Sequence, residues 1–299
     1  MASHPSDFTE IAVLTHAEAA EGLADVLLSL GASGVAEERR PLAVRIVAYF
    51  PPDDNTEERV RAVRARLTAL EKQGLRVGPG TVSLRTLAGA AWADAWKAHF
   101  QVMRIAPGLV VAPTWENYQS QPGESVILLD PGGAFGTGGH ATTRLCLRTL
   151  LSHLRPGDRV ADVGCGSGIL AITAAILGST HVVASDNDPS VFPVAQANAR
   201  LNGVQNEIQF VEADLVPETS YPFDVIVCNI VAEEIIRLAE DLRGLLSRGG
   251  RFIGSGFVTA SLPRVETALG RAGLDILETP SDEGWAACVA VRPDRDRRR

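Results

Sequence analysis

The chain has 299 residues, 45% of them hydrophobic, which suits one large domain or two smaller ones around a sizeable core. Its 28 Lys and Arg stand against 36 Asp and Glu, a formal net charge of −8. That balance argues against a general binder of phosphate backbones, whose affinity needs clustered cations, and suits a basic protein partner.

Residues 1–10 lack a basic segment followed by an apolar one, so no secretion signal is expected. From residue 10 to residue 87 the pattern is strand, helix, two strands, helix, strand. A short apolar strand covers 10–15. Leu23, Val26, Leu27 and Leu30 share one face of a helix over 16–30, which Gly31 and Gly34 end. Residues 34–38 and 42–50 flank a turn at Arg39-Arg40-Pro41 and form a hairpin. A charged amphipathic helix spans 57–72, with Val60, Val63, Leu67 and Leu70 at helical spacing, and 81–87 is a last strand. This βαββαβ order suits a small ferredoxin-like domain. It holds no candidate nucleophile, metal cluster or glycine cradle, so recognition is its natural role.

Trp92 and Trp96 lie four apart on one predicted helix face, beside Lys97 and His99. A buried joint between domains is the simpler reading, and aromatic contact with a ligand is the other. Residues 101–105 and 109–112 look like a second hairpin. A strand at 125–129 leads into D-P-G-G-A-F-G-T-G-G-H-A-T-T at 130–143, followed by a helix over 142–153. Each of the five glycines in that loop costs backbone entropy, so a loop that closes over a ligand explains them better than a spacer.

From there strands at 159–163, 181–185, 208–212, 223–228 and 250–255 alternate with helices at 168–178, 189–202, 231–247 and 261–272. Two more strands, 274–279 and 285–291, finish the pattern. Such alternation builds a mostly parallel sheet with helices on both faces, and ligands sit beyond the carboxyl ends of its strands. Gly164, Asp186, Asp214 and Asn229 all fall at those ends. No run of about 18 uncharged apolar residues could span a bilayer. The four cysteines, Cys146, Cys165, Cys228 and Cys288, are far apart in apolar surroundings. Without a C-x-x-C or Cys/His cluster no metal is expected; buried free thiols in a reducing, cytoplasmic setting are.

The chemistry is concentrated in Asp162-Val163-Gly164-Cys165-Gly166-Ser167-Gly168, between a short strand and an apolar helix. Alternate glycines let the backbone turn sharply and press against a ligand, and the helix start aims free N–H groups at it. Asp186, at the tip of the next strand, is placed to accept hydrogen bonds from ribose hydroxyls. An adenosine-containing cofactor is expected, against the simpler reading of a glycine turn in an ordinary α/β protein. The spacing is G-x-G-x-G, not the G-x-G-x-x-G of dinucleotide folds or the G-x-x-x-x-G-K-[ST] of nucleoside triphosphates. Asp188-Pro189 is a helix cap followed by proline at the first helical position. Asn229 ends a strand and is followed by Ile230-Val231-Ala232, with no aromatic ring to stack on a planar base or amide. A flexible amine is the better target.

Asp162 with Gly164, Gly166 and Gly168 resembles motif I of the S-adenosylmethionine methyltransferases, in which the acid holds the methionine end of the cofactor. That likeness leaves two readings of Asp214: acceptor for the adenine amino group, or helix cap. The loop at 130–143 resembles the D-P-G-x-A-F-G-T-G-x-H-x-T-T of the PrmA family, which methylates protein eleven of the large ribosomal subunit. Asn229-Ile230-Val231-Ala232 is similar to that family's Asn-Ile-Leu-Ala. Residues 92–100 are similar to its W-x-x-x-W-K-x-x-F, and Ala112-Pro113-Thr114-Trp115 to its Pro-Ser-Trp. Gly139 and Ala141 depart from the family's larger residue and proline, and both loosen the loop.

The resemblance implies an α/β chain: a seven-stranded doubly wound methyltransferase sheet with a small N-terminal α+β ferredoxin-like domain. It implies substrate recognition by residues 1–88, a linker and joint over 89–120, and the methyltransferase domain over 121–299. It further implies that Gly164, Gly166, Gly168, Asp186 and Asn229 bind S-adenosylmethionine. Thr137, Thr142 and Thr143 would line its methionine end and the amine entrance. The expected activity is protein-lysine N-methylation, on side chains and the N-terminal amine of the ribosomal protein. Asn229 and Thr137 orient the amine and water takes the proton, since no acid–His pair in the motifs offers a base. An RNA methyltransferase and a non-catalytic S-adenosylmethionine-binding regulator are the alternatives. The first asks for a basic surface and an aromatic after Asn229; the second needs no channel from Asn229 to solvent.

Overall fold

The computed structural model describes residues 8–32, 34–40, 42–51, 53, 55–87, 97, 100–130, 138–217, 219 and 221–294. The chain divides into two compact units, one within residues 1–101 and the other made of 102–130 and 136–299, apart from 131–135. No described helix is long and apolar enough to cross a membrane.

The first unit runs β1 (Phe8–Thr15), α1 (Ala17–Ser29), β2 (Gly34–Arg40), β3 (Ala43–Phe50), α2 (Thr56–Lys72) and β4 (Thr81–Leu87). Its strands pair antiparallel in the order β2-β3-β1-β4, the ferredoxin-like arrangement the element order predicts. Alternate residues of the strands, among them Ile11, Val13, Ile46 and Phe50, face Leu23 and Leu27 of α1 and Val63 of α2. Burial of that face is what fixes the register, since a one-residue slip would turn it to solvent. Arg59 fastens the entry to α2. It donates to both Asp53 oxygens at 2.6 Å and to the Leu30 carbonyl, over the ring of Phe50.

The second unit opens with β5 (Met103–Ala106), β6 (Leu109–Pro113) and β7 (Ser125–Leu129). The expected hairpin is present, and β7 joins it by pairing parallel to β6. These two hairpin strands therefore belong with the second unit rather than with a connecting segment: β6 is buried along its whole length against β7. Next come α3 (Ala141–His153), β8 (Arg159–Val163), α4 (Ile169–Ile176), β9 (His181–Asp186), α5 (Phe192–Leu201) and β10 (Ile208–Glu212). The chain ends with β11 (Phe223–Asn229), α6 (Ala232–Leu245), β12 (Leu246–Val258), α7 (Leu262–Arg271), β13 (Asp275–Glu278), β14 (Ser281–Asp282) and β15 (Trp285–Val291).

The main sheet has the order β10-β9-β8-β11-β12-β15-β13, with the two-residue β14 added beside β15. The strands from β10 to β12 are parallel, and β15 runs antiparallel between β12 and β13. Both faces are buried. On β11, Val225 and Val227 join the apolar layer on one face, and Ile226 and Cys228 the layer on the other. All four cysteines are buried free thiols. β12 starts earlier than the 250–255 expected. Arg248-Gly249-Gly250 has the composition of a turn, yet Gly249 donates to the Arg292 carbonyl and Arg292 donates back to Gly250.

Candidate active site

The order of strands along the sheet reverses between β8 and β11, and ligands collect at such a switch point. Four strand ends converge there: Val163 into Gly164, Asp186, Glu212 into Ala213, and Asn229. Gly164, Gly166 and Gly168 all have positive φ, 72°, 48° and 80°. At Gly164 the requirement is also one of space, because a Cβ would stand 2.6 Å from a methyl of Ile230. The turn is held by Gly164 and Cys165 N–H, which both donate to the Ser185 carbonyl at 2.9 Å.

Asp186 is fixed from two sides. One carboxylate oxygen accepts from Gly166 N–H and the other from Asp188 N–H, each at 3.0 Å. Asp188 caps the following turn by accepting from Ser190 N–H, as its Asp-Pro sequence predicts. Asp162 is fully buried beneath the turn. It accepts from Ala171 N–H of α4 at 2.9 Å, and its other oxygen has no partner among the described residues. Burial pushes the Asp162 carboxyl up to about 7; the Ala171 hydrogen bond opposes this and the nearby Asp186 charge adds to it.

Asn229 ends β11 with a division of roles. Its amide nitrogen donates to Thr143 Oγ1 at 3.1 Å, while its buried carbonyl oxygen has no partner among the described residues. Thr143 and Thr142, in the first turn of α3, are both buried. Thr142 Oγ1 lies 2.6 Å from Nδ1 of His140, the residue that caps α3 and stands edge-on to Trp285. The structure thus brings Asn229 and Thr143 together and sets Thr142 against His140. Thr137 and most of the glycine loop, like Trp92 and Trp96, lie outside the described residues.

Asp214 follows β10, and no helix starts there, so it is not a cap. Its carboxylate accepts twice from Arg237 of α6, and this partner holds its pKa below the usual carboxylate value. A cleft of about 420 Å³, part of it open to solvent, runs from Gly164 and Asp186 past Asp214 and Leu215 to Ile230 and Arg237. Two of its supporting residues are absent from the motifs. Arg237 sits on a helix as any solvated arginine would. Gly256, on β12, has φ 102°, and a Cβ there would stand 2.3 Å from the Ile230 carbonyl oxygen. Its one sequence signal is a glycine flanked by Ser255 and Phe257 late in an apolar strand.

The sheet order, the single reversed strand β15 and the glycine turn opposite Asp186 define a class I methyltransferase. The family model of ribosomal protein L11 methyltransferases (PrmA) matches residues 7–293. Ribosomal protein L11 methyltransferases of Bacillus cytotoxicus and Bacillus cereus are each 36% identical over 95% of this chain and 98% of their own length. A crystal structure of ribosomal protein L11 methylase from Lactobacillus delbrueckii subsp. bulgaricus matches with a TM-score of 0.61 at 35% identity. That match covers 65% of this chain and 100% of the other. The chain belongs to the family of ribosomal protein L11 methyltransferases.

Proposed function

We propose that the protein is an S-adenosylmethionine-dependent N-methyltransferase acting on lysine side chains and the N-terminal amine of ribosomal protein L11. The observation that carries the amine assignment is the buried Asn229 carbonyl oxygen, left without a partner at the mouth of the switch point. The next two residues in the chain, Ile230 and the half-exposed Val231, are aliphatic and offer no ring for stacking.

The site fits the cofactor on three counts: glycines at positive φ where a side chain would intrude, a carboxylate fixed at the end of β9, and a buried carboxyl oxygen awaiting a donor. Gly164, Gly166 and Gly168 would line the cofactor, Asp186 would hold its ribose and Asp162 its methionine end, with Thr142, Thr143 and Thr137 beside it. Asp214 would face the adenine. S-adenosylmethionine supplies an electrophilic methyl carbon on a sulfonium. Little charge needs stabilising in such a displacement, so positioning provides most of the rate. Asn229 accepts a hydrogen bond from the amine and aims its lone pair, while its amide nitrogen donates to Thr143. The amine must be neutral, which an apolar mouth favours by desolvation, and water takes the proton. The unit within residues 1–101 grips the protein substrate.

Incubation of ribosomal proteins with labelled S-adenosylmethionine, followed by mass spectrometry, is expected to place label on amines of ribosomal protein L11. Asn229→Ala should lower kcat by roughly a hundredfold and leave binding of the ribosomal protein near normal, because orientation is lost and docking is not. Label on RNA, or full turnover by Asn229→Ala, overturns the reading.

A further inference from the structure

We infer that Arg237 is a positioning residue for the nucleobase: it locks the Asp214 carboxylate as the acceptor that selects a 6-amino purine over a 6-oxo purine. This rests on the reading that the cleft holds the adenosine of S-adenosylmethionine.

Asp186 marks the ribose end of the cleft, and the wall beyond it is Ala213-Asp214-Leu215. That wall is rigid at both of its ends. Ala213 N–H donates to the Asp186 carbonyl at 3.0 Å. Leu215 has φ 68°, a conformation a leucine adopts only when its surroundings impose it, and Ser185 Oγ donates to its carbonyl at 2.6 Å. Between these anchors the Asp214 side chain is 65% exposed, so left alone it would rotate in water. Arg237 removes that freedom. Its two terminal nitrogens donate to the two Asp214 oxygens at 2.8 and 2.6 Å, the paired geometry that fixes the plane of a carboxylate. One of them also stands 2.5 Å from a Glu234 oxygen, which holds the guanidinium from the other side.

Stability alone does not account for the arrangement, since exposed pairs of this kind contribute little to it. Its charge points to a ligand. One cation shared by two carboxylates leaves the trio with a net charge of −1 beside the base end of the cleft. Each Asp214 oxygen keeps a lone pair for another donor. An exocyclic amine supplies that donor. An oxo group at the same position would bring a third set of lone pairs against the carboxylates.

The test is calorimetry on the full chain with S-adenosylhomocysteine and with its inosine counterpart, S-inosylhomocysteine. The natural chain should prefer the adenosine form by about tenfold, the scale of one hydrogen bond to a charged group near solvent. In Arg237→Ala the preference should fall below about threefold, because a loosely held exposed carboxylate contributes little. The loss should fall on the adenosine form, with the inosine form bound as before. Arg237→Lys, which keeps the charge and not the fork, should fall between the two. Equal weakening of both ligands would mean that Arg237 only shapes the pocket, and an unchanged preference would mean that it does nothing to the base; either overturns the inference. Failure of the natural chain to bind either ligand would instead refute the cofactor reading beneath it.

Discussion

Asp162 is a carboxyl with a single hydrogen bond and no exposure, whereas the nearby site acid Asp186 has both oxygens engaged. The difference has a measurable sign. In the unfolded chain such a carboxyl titrates near about 4, whereas burial raises Asp162 to about 7 in the folded protein. Between those values the folded state holds a proton that the unfolded state has released. Its contribution to stability therefore falls as pH rises from about 4 to about 7, and is level above. Asp162→Asn removes the titration. Denaturant unfolding of both proteins at pH 5 and pH 7.5 should show the natural chain losing on the order of 1–3 kcal/mol relative to the variant over that interval. Parallel pH profiles would mean that the native carboxyl is already ionised at pH 5.

At the scale of elements, the end of β11 is set by β12. Ile230 N–H donates to the Ser255 carbonyl at 3.0 Å, and Gly256 lets the next peptide pass directly over Ile230. Gly256→Ala must both strain a positive φ and push against backbone. It should cost about 1–3 kcal/mol in denaturant unfolding and weaken S-adenosylmethionine binding, since Asn229 moves with Ile230. A variant as stable and as tightly binding as the natural chain would show that this crossing gives way freely. The elements themselves were legible. β8, β10 and β7 fall on the residues that the apolar runs predict, because charged or glycine-rich turns bound each run. Legibility failed where the deciding partner is distant in sequence. Nothing near Arg237 announces Asp214, and nothing near Asn229 announces Thr143, 86 positions away. Gly249-Gly250 misled for the opposite reason: local composition says turn, while Arg292 supplies the strand partners.

At the scale of the whole molecule, the two units have separate apolar cores, and the proposed function gives them separate tasks. A chain reduced to residues 102–299 is expected to bind S-adenosylmethionine within about threefold of the full chain, the cleft being lined wholly by that unit. It should no longer methylate ribosomal protein L11 at a measurable rate. A folded truncation that loses the cofactor would refute the division. The distribution of cysteine adds a consequence. All four lie buried in the second unit, and the first has none. Burial raises every one of these thiols, Cys288 to about 12, so the reactive thiolate is scarce while the sheet is closed. Alkylation is therefore a clock wired to one half of the chain. It ticks when the methyltransferase sheet opens, stays silent when only the first unit does, and slows with bound cofactor in proportion to its occupancy.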